Sequence, residues 1–225
     1  MLDEPFSNLD ANTKDDARSL VRKIQQDFGV TAIIVSHDPS DIFSLAQEVA
    51  VIAKGELIQV ATPKELYDRP KNLKVAGSLG DMNILDGKSI RNGAKYDIVI
   101  TGLVTIKDLV ASNEALPESI KVGIRPEDLM LVPAKRPISE LFEDENSEDV
   151  LEKLGDLVVD ASNYSQGSFL ISLLFNNGLS RINGISREAL LPGESLTIYA
   201  KKNKIKIFNA ESGDYIETNP KFIEN

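Results

Sequence analysis

The hydrophobic pattern changes character once along these 225 residues, near Gly80, and that change limits the folds open to the chain. Before it, helical and strand-type segments alternate. Ala17, Leu20, Val21, Ile24 and Phe28 fall at helical spacing within Asn12 to Phe28, and Gly29 supplies a stop. The run Thr31 to Val35 reads as a central strand buried on both faces. Pro39 opens a helix to about Gln47, and Glu48 to Ala53 reads as a second buried strand. Gly55 turns the chain into Glu56 to Ala61, and Pro63 to Tyr67 and Asn72 to Leu79 read as short helices. Helix, strand, helix, strand predicts a parallel α/β layer. After Gly80 the apolar segments are short and lie between Gly, Pro and Asn turns. Ile98 to Ile100, Ile120 to Ile124, Leu157 to Ala161, Phe169 to Phe175, Ser195 to Tyr199 and Ile205 to Phe208 predict a small barrel or sandwich. Two domains are expected, 1–80 and 81–225, with no internal repeat.

Charge and composition exclude several functions. With 25 basic and 35 acidic residues the net charge is −10, which repels a phosphate backbone or an anionic lipid surface, so no nucleic-acid partner is expected. Zero cysteines exclude thiol nucleophiles and thiolate metal sites, and a single histidine excludes histidine-pair metal motifs. The apolar runs fall far below the roughly 20 residues of a spanning helix, and Met1 to Pro5 carries no basic and apolar leader pattern. Glu140 to Asp156 contains eight acidic residues among few apolar ones and reads as a solvated loop or weak helix.

The residues richest in chemistry open the chain. Leu2-Asp3-Glu4-Pro5-Phe6-Ser7-Asn8-Leu9-Asp10 is followed, after a helix and a strand, by Val35-Ser36-His37-Asp38 and then the Lys54-Gly55-Glu56 turn. Taken singly, each has a plain reading: Asp3 and Glu4 as exposed turn carboxylates, His37 as a structural histidine, Asp10 as the N-cap of the helix beginning near Ala11. Taken together and in this order, they resemble the second half of an ABC-transporter ATPase domain. Asp3-Glu4 is similar to the end of its Walker B segment, Ser7 to Asp10 to its D-loop, and His37 to its switch histidine.

The resemblance extends to a subfamily. Gly55 to Gln59, Thr62 to Pro70, Val75 to Gly80 and Asn83 are similar to importer ATPases of the maltose, polyamine and ferric-iron type. Val122 to Leu129 resembles the signature of their C-terminal TOBE domain, an OB-like β-barrel. The fold implied is a partial α/β nucleotide-binding domain over 1–80, the C-terminal half of an ABC ATPase domain, followed by an all-β OB-like TOBE domain over 81–225. The resemblance implies ATP and Mg²⁺ in the complete subunit, with Asp3 holding Mg²⁺ through water, Glu4 as general base and His37 sensing the γ-phosphate. It further implies that Asp10 meets the nucleotide across a dimer. Implied partners are transmembrane permease subunits, a second ATPase subunit and, indirectly, a solute-binding protein, at the cytoplasmic face of a membrane.

Departures from the pattern set a further expectation. No Gly-x-x-x-x-Gly-Lys-Ser/Thr loop and no Leu-Ser-Gly-Gly-Gln-like signature occurs. Gly87-Lys88-Ser89 has Met82 where the loop's first glycine would stand and reads as a turn, as does Leu191 to Ser195. Walker B also lacks its apolar residues before Leu2. The chain is therefore expected to be the C-terminal portion of an ATPase subunit, inactive alone. The competing reading is a stand-alone regulatory or small-anion-binding TOBE module carrying an ATPase remnant, with no cofactor of its own; a fragment without an independent role is a third. Arg125, beside Pro126, reads as a structural turn residue, with pairing to Glu127 or Asp128 or contact with a ligand as alternatives. The imported solute is not legible.

Overall fold

Asp10 begins the first long element: its carboxylate accepts the Thr13 backbone amide, and helix α1 (Ala11–Phe28) runs 18 residues until Gly29 ends it in the left-handed region at φ 60°. The structure, a computed structural model, describes residues 1–111, 115–134, 151–165 and 167–219. They divide into two compact units, Met1–Gly80 and Asp81–Asn225.

In the first unit β1 (Leu2–Asp3) pairs in parallel with β2 (Ile34–Val35), joining Leu2 to Ile34 and Asp3 to Val35. Then follow α2 (Pro39–Leu45), β3 (Val49–Ala53), β4 (Glu56–Ala61), α3 (Pro63–Asp68) and α4 (Leu73–Ser78). Strands β3 and β4 form an antiparallel hairpin whose turn residues Lys54 and Gly55 both have positive φ, the geometry a two-residue hairpin requires. Thr62 and Glu65 complete a capping box on α3, and the Asn72 side chain caps α4. Leu66, Val75 and Leu79 form the core, with Ile42, Val49, Val51, Ile58, Ala61 and Tyr67 packed against it.

Two expectations for this unit are corrected. Thr31 to Val35 is not a central buried strand: only Ile34–Val35 forms a strand, and Ile33 is 61 % exposed. A parallel strand is buried on both faces only when helices cover both, and among the described residues β2 pairs only with β1. Nor does Glu48 to Ala53 extend a parallel layer, because β3 pairs antiparallel with β4 and leaves Ile52 exposed. The apolar stripe of α1 exists, yet none of its residues is buried.

The second unit is built almost wholly of strands. The first set is β5 (Asn83–Asn92), β6 (Lys95–Ile100), β7 (Thr105–Ala111) and β8 (Ser119–Ile124), followed by a 3₁₀ turn at Pro126–Asp128 and β9 (Leu129–Pro133). The second is β10 (Leu151–Ser165), β11 (Ser168–Phe175), β12 (Ser180–Ser186) and β13 (Ser195–Lys201), followed by a 3₁₀ turn at Lys202–Lys204 and β14 (Lys206–Asn209). Both sets pair in one order: the first strand lies between the second and fourth, and the third flanks the second. The fifth strands are exchanged. β9 pairs with β13, and β14 with β8. The short β15 (Tyr215–Ile216) and β16 (Thr218–Asn219) then pair with β14 and β7.

This is an internal repeat, contrary to the expectation of none. It is carried by buried positions rather than residue identities: Ile120, Val122, Ile124 and Leu129 in one set stand where Leu196, Ile198, Ala200 and Ile205 stand in the other. Exchange merges the two sets into a single core in which Ile98, Ile106 and Val122 share one cluster with Leu157, Ile171 and Ile198. Gly87-Lys88-Ser89 is no turn but the middle of β5, where a side chain on Gly87 would meet the Val99 carbonyl at 3.2 Å. Leu191 to Ser195 does turn, with Gly193 at φ 90°. Leu151 to Asp156 of the acidic run belongs to β10, and the earlier part of that run lies outside the described residues. Arg125 is 1 % exposed and donates to the Asp81 carbonyl at 3.2 Å.

Asn83 closes an edge. Its amide donates to the Asn183 carbonyl at 2.8 Å and accepts the Asn183 amide at 2.7 Å, so one side chain pairs with β12 as a strand would. Asn83→Ala leaves both backbone groups without that partner and is expected to lower the stability of this unit by about 1–3 kcal/mol. Denaturant unfolding measures it.

Candidate functional site

Parallel pairing of β1 with β2 fixes what lies beyond the strands. The Leu2 amide donates to the Ile33 carbonyl at 2.8 Å and the Glu4 amide to the Val35 carbonyl at 2.9 Å, so both strands end side by side. The crevice past the carboxyl ends of parallel strands is the usual ligand position in open α/β sheets. Here Glu4 Oε1 and His37 Nδ1 meet at 2.7 Å. Residues 33 apart in sequence form one acid–imidazole pair.

Glu4 occupies the left-handed region at φ 44°, unusual for a residue with a side chain and more so before Pro5. Such a conformation costs on the order of 1–3 kcal/mol and clusters at functional sites. The turn is held by Ser7, whose amide and hydroxyl donate to the Glu4 carbonyl at 3.3 and 3.0 Å. Asp3, at the end of β1, is exposed.

The hydrogen bond that Glu4 accepts from His37, and then its charge, raise the His37 pKa above the ordinary value; Asp38 adds to this, while slight desolvation and Lys14 oppose it. The imidazolium is therefore the favoured partner of Glu4. Asp10 caps α1 through the Thr13 hydroxyl at 2.6 Å and the Thr13 amide at 3.1 Å, and these bonds lower its pKa. Its N-cap reading thus holds. The described structure unites Glu4 with His37, and Asp10 has its partners on its own helix.

A second polar cluster escaped the sequence reading. Asp41 in α2 is 5 % exposed, and its Oδ1 accepts Arg18 Nε at 2.7 Å while its Oδ2 accepts the Ser36 hydroxyl at 2.5 Å. Arg18 also pairs with Asp15 at 2.9 Å, and Asp38 with Lys14 at 3.2 Å. Removing one member of a shielded pair such as Arg18–Asp41 costs about 3–5 kcal/mol, because the other charge stays behind. The available signal was slight: Lys14 and Arg18 are four apart on α1, and Ser36 and Asp38 flank the histidine.

No protein-family model matches the chain. Over 208 residues, 92 % of the chain, it is 38 % identical to the glucose import ATP-binding protein GlcV of Saccharolobus solfataricus and covers 53 % of that protein. It is 32 % identical over 206 residues to the spermidine/putrescine import ATP-binding protein PotA of Oleidesulfovibrio alaskensis, spanning 88 % of the chain and 53 % of the relative. With the Fe(3+) ions import ATP-binding protein FbpC 1 of Haemophilus influenzae it shares 42 % over 133 residues, 58 % of the chain and 39 % of that protein. The chain spans about half the length of the first two curated relatives. Among solved structures, the cytoplasmic molybdate-binding protein ModG overlaps 56 % of the chain and 94 % of its own, at 16 % identity and a TM-score of 0.38.

His37 is expected to titrate above about 6.5, and Glu4→Gln to return it toward that value. A raised histidine pKa adds stability that is fully present below the unfolded value and is lost as pH rises through the folded one. An NMR titration of the chain's one imidazole reads both values directly.

Proposed function

We propose, from its similarity over most of its length to import ATP-binding proteins, that the chain supplies the hydrolysis side of the ATP site of an ABC importer. The observation that carries this reading is the 2.7 Å contact of Glu4 with His37 past the ends of two parallel strands. Phosphoryl transfer to water needs a base for the water, charge stabilisation on the γ-phosphoryl group and a cation beside the phosphates. Glu4, the residue that follows β1, accepts the water's proton. His37 donates toward the developing charge and holds Glu4 in place.

Asp3 is the Mg²⁺ residue, acting through water. Mg²⁺ takes one or two carboxylates and completes its shell with water and phosphate, so a single exposed carboxylate such as Asp3 suits it. Among the described residues no group of three or more His, Cys, Asp or Glu forms an all-protein cage. When bound, the cation supplies charge neutralisation on the β- and γ-phosphates.

Residues 1–80 are the C-terminal part of the nucleotide-binding domain, and Asp10 faces the second ATP-binding subunit of a dimer. Residues 81–225 form the OB-like TOBE regulatory domain, a reading supported by two sets of five antiparallel strands. Permease subunits hold the assembly at the cytoplasmic face of the membrane, and a solute-binding protein acts on it indirectly. Among the described residues no helix is long and apolar enough to cross a membrane.

Purified alone, the chain is expected to release no phosphate from ATP, since it carries no phosphate loop. Fused behind the phosphate-loop half of a relative, it is expected to hydrolyse ATP with Mg²⁺, and Glu4→Gln to lower the rate about 10²–10⁴-fold. A folded fusion without activity, or one indifferent to Glu4→Gln, overturns the assignment and leaves the regulatory module as the reading to pursue.

A further inference from the structure

We propose that Arg18 and the carboxylate of Asp41 are positioning residues for His37, acting through the Ser36 hydroxyl; the proposal rests on the reading of Glu4 and His37 as the working pair. The His37 side chain is 81 % exposed. Packing cannot aim a side chain that open to water, so its approach to Glu4 depends on the backbone that carries it.

That backbone is clamped on both sides of the histidine. Ser36 Oγ donates to Asp41 Oδ2 at 2.5 Å and accepts the Asp38 amide at 3.1 Å, which brackets His37 between two bonds to one hydroxyl. The Asp38 carboxylate accepts the Ser40 amide at 2.9 Å and meets Lys14 at 3.2 Å and Arg18 at 3.5 Å. Asp41 can hold Ser36 because its other oxygen is taken by Arg18 from α1 and because it is buried from competing water. A chain of hydrogen bonds therefore runs from α1 through Asp41 and Ser36 to the residues that flank His37. Two strands alone bring Glu4 and His37 near, but a reacting pair needs tighter placement: a displacement of about 1 Å can cost 10²-fold in rate.

The test uses the whole chain, whose single histidine yields one imidazole signal. The ¹⁵N shifts of His37 are recorded at one fixed pH for the parent chain, Glu4→Gln, Ser36→Ala, Ser36→Thr and Asp41→Asn, with circular dichroism and thermal melting on each. The difference between the parent and Glu4→Gln defines the signature of the pair. Ser36→Ala and Asp41→Asn are expected to lose at least half of it, and Ser36→Thr, which restores the hydroxyl, to keep it. Ser36→Ala leaves the Arg18–Asp41 pair in place and keeps the test decisive if Asp41→Asn does not fold. Parent-like shifts in folded Ser36→Ala overturn the proposal and leave the cluster as a helix-to-helix tie, while the pair itself stands. Loss in both Ser36→Ala and Ser36→Thr also overturns the hydroxyl route. A parent indistinguishable from Glu4→Gln overturns the pair, and the proposal with it.

Discussion

A strand is held only as well as its backbone amides and carbonyls are partnered, and this constraint organises both units. In the β-rich unit it is met by exchange: β9 closes against β13 and β14 against β8, so neither set of strands is complete without the other. The chain's last strands, β15 and β16, pair with β14 and β7, and the Asn83 amide pairs with β12 where another strand would lie. Because the fifth strands cross over, the two sets cannot separate without breaking two ladders and opening a shared core. Cooperativity follows from connectivity as much as from apolar area.

The same constraint leaves the first unit different. Its parallel pair is short, and Leu2, Ile33 and Val35 around it are exposed, as are Leu20 and Phe28 on α1. What keeps β2 and the following turn in place is polar. Asp41, shielded from water, is satisfied by Arg18 and Ser36 together, and a buried carboxylate is tolerable only when so paired. Ser36, Asp38 and Asp41 of the polar cluster thus stand beside His37 in sequence for a physical reason. An exposed side chain is placed only through its neighbours, and charge-assisted hydrogen bonds provide rigidity where packing does not.

The proposed site and the larger core lie in different parts of the chain. The residues of the proposed ATP site lie in the unit with the smaller core, whereas the larger core belongs to the β-rich unit. Arg125 illustrates the division. Its burial beside the Asp81 carbonyl makes it a member of the fold at the crossover into β9, in keeping with the turn role expected of it.

Local chemistry was legible in the sequence because it is written in neighbouring residues. The Asp10 cap, the Gly29 stop, the Gly55 turn and the proline-led helix α3 each depend on a few adjacent side chains. Asp3, Glu4, Asp10 and His37 could be singled out as candidates as well, since a motif is a spacing. What surrounds each segment was not legible. Thr31 to Val35 has the composition of a buried strand and lies exposed, since burial belongs to the neighbours rather than to the run. The repeat stayed hidden because two strand sets need share only which positions face the core, and many residues satisfy that. Exchange of the fifth strands, the Asn83–Asn183 pairing and the Arg18–Asp41–Ser36 chain join residues far apart in sequence. Sequence by itself determined the local turns, caps and candidate chemistry; only the tertiary structure decided which distant polar and backbone groups would satisfy one another, because that choice is made in space.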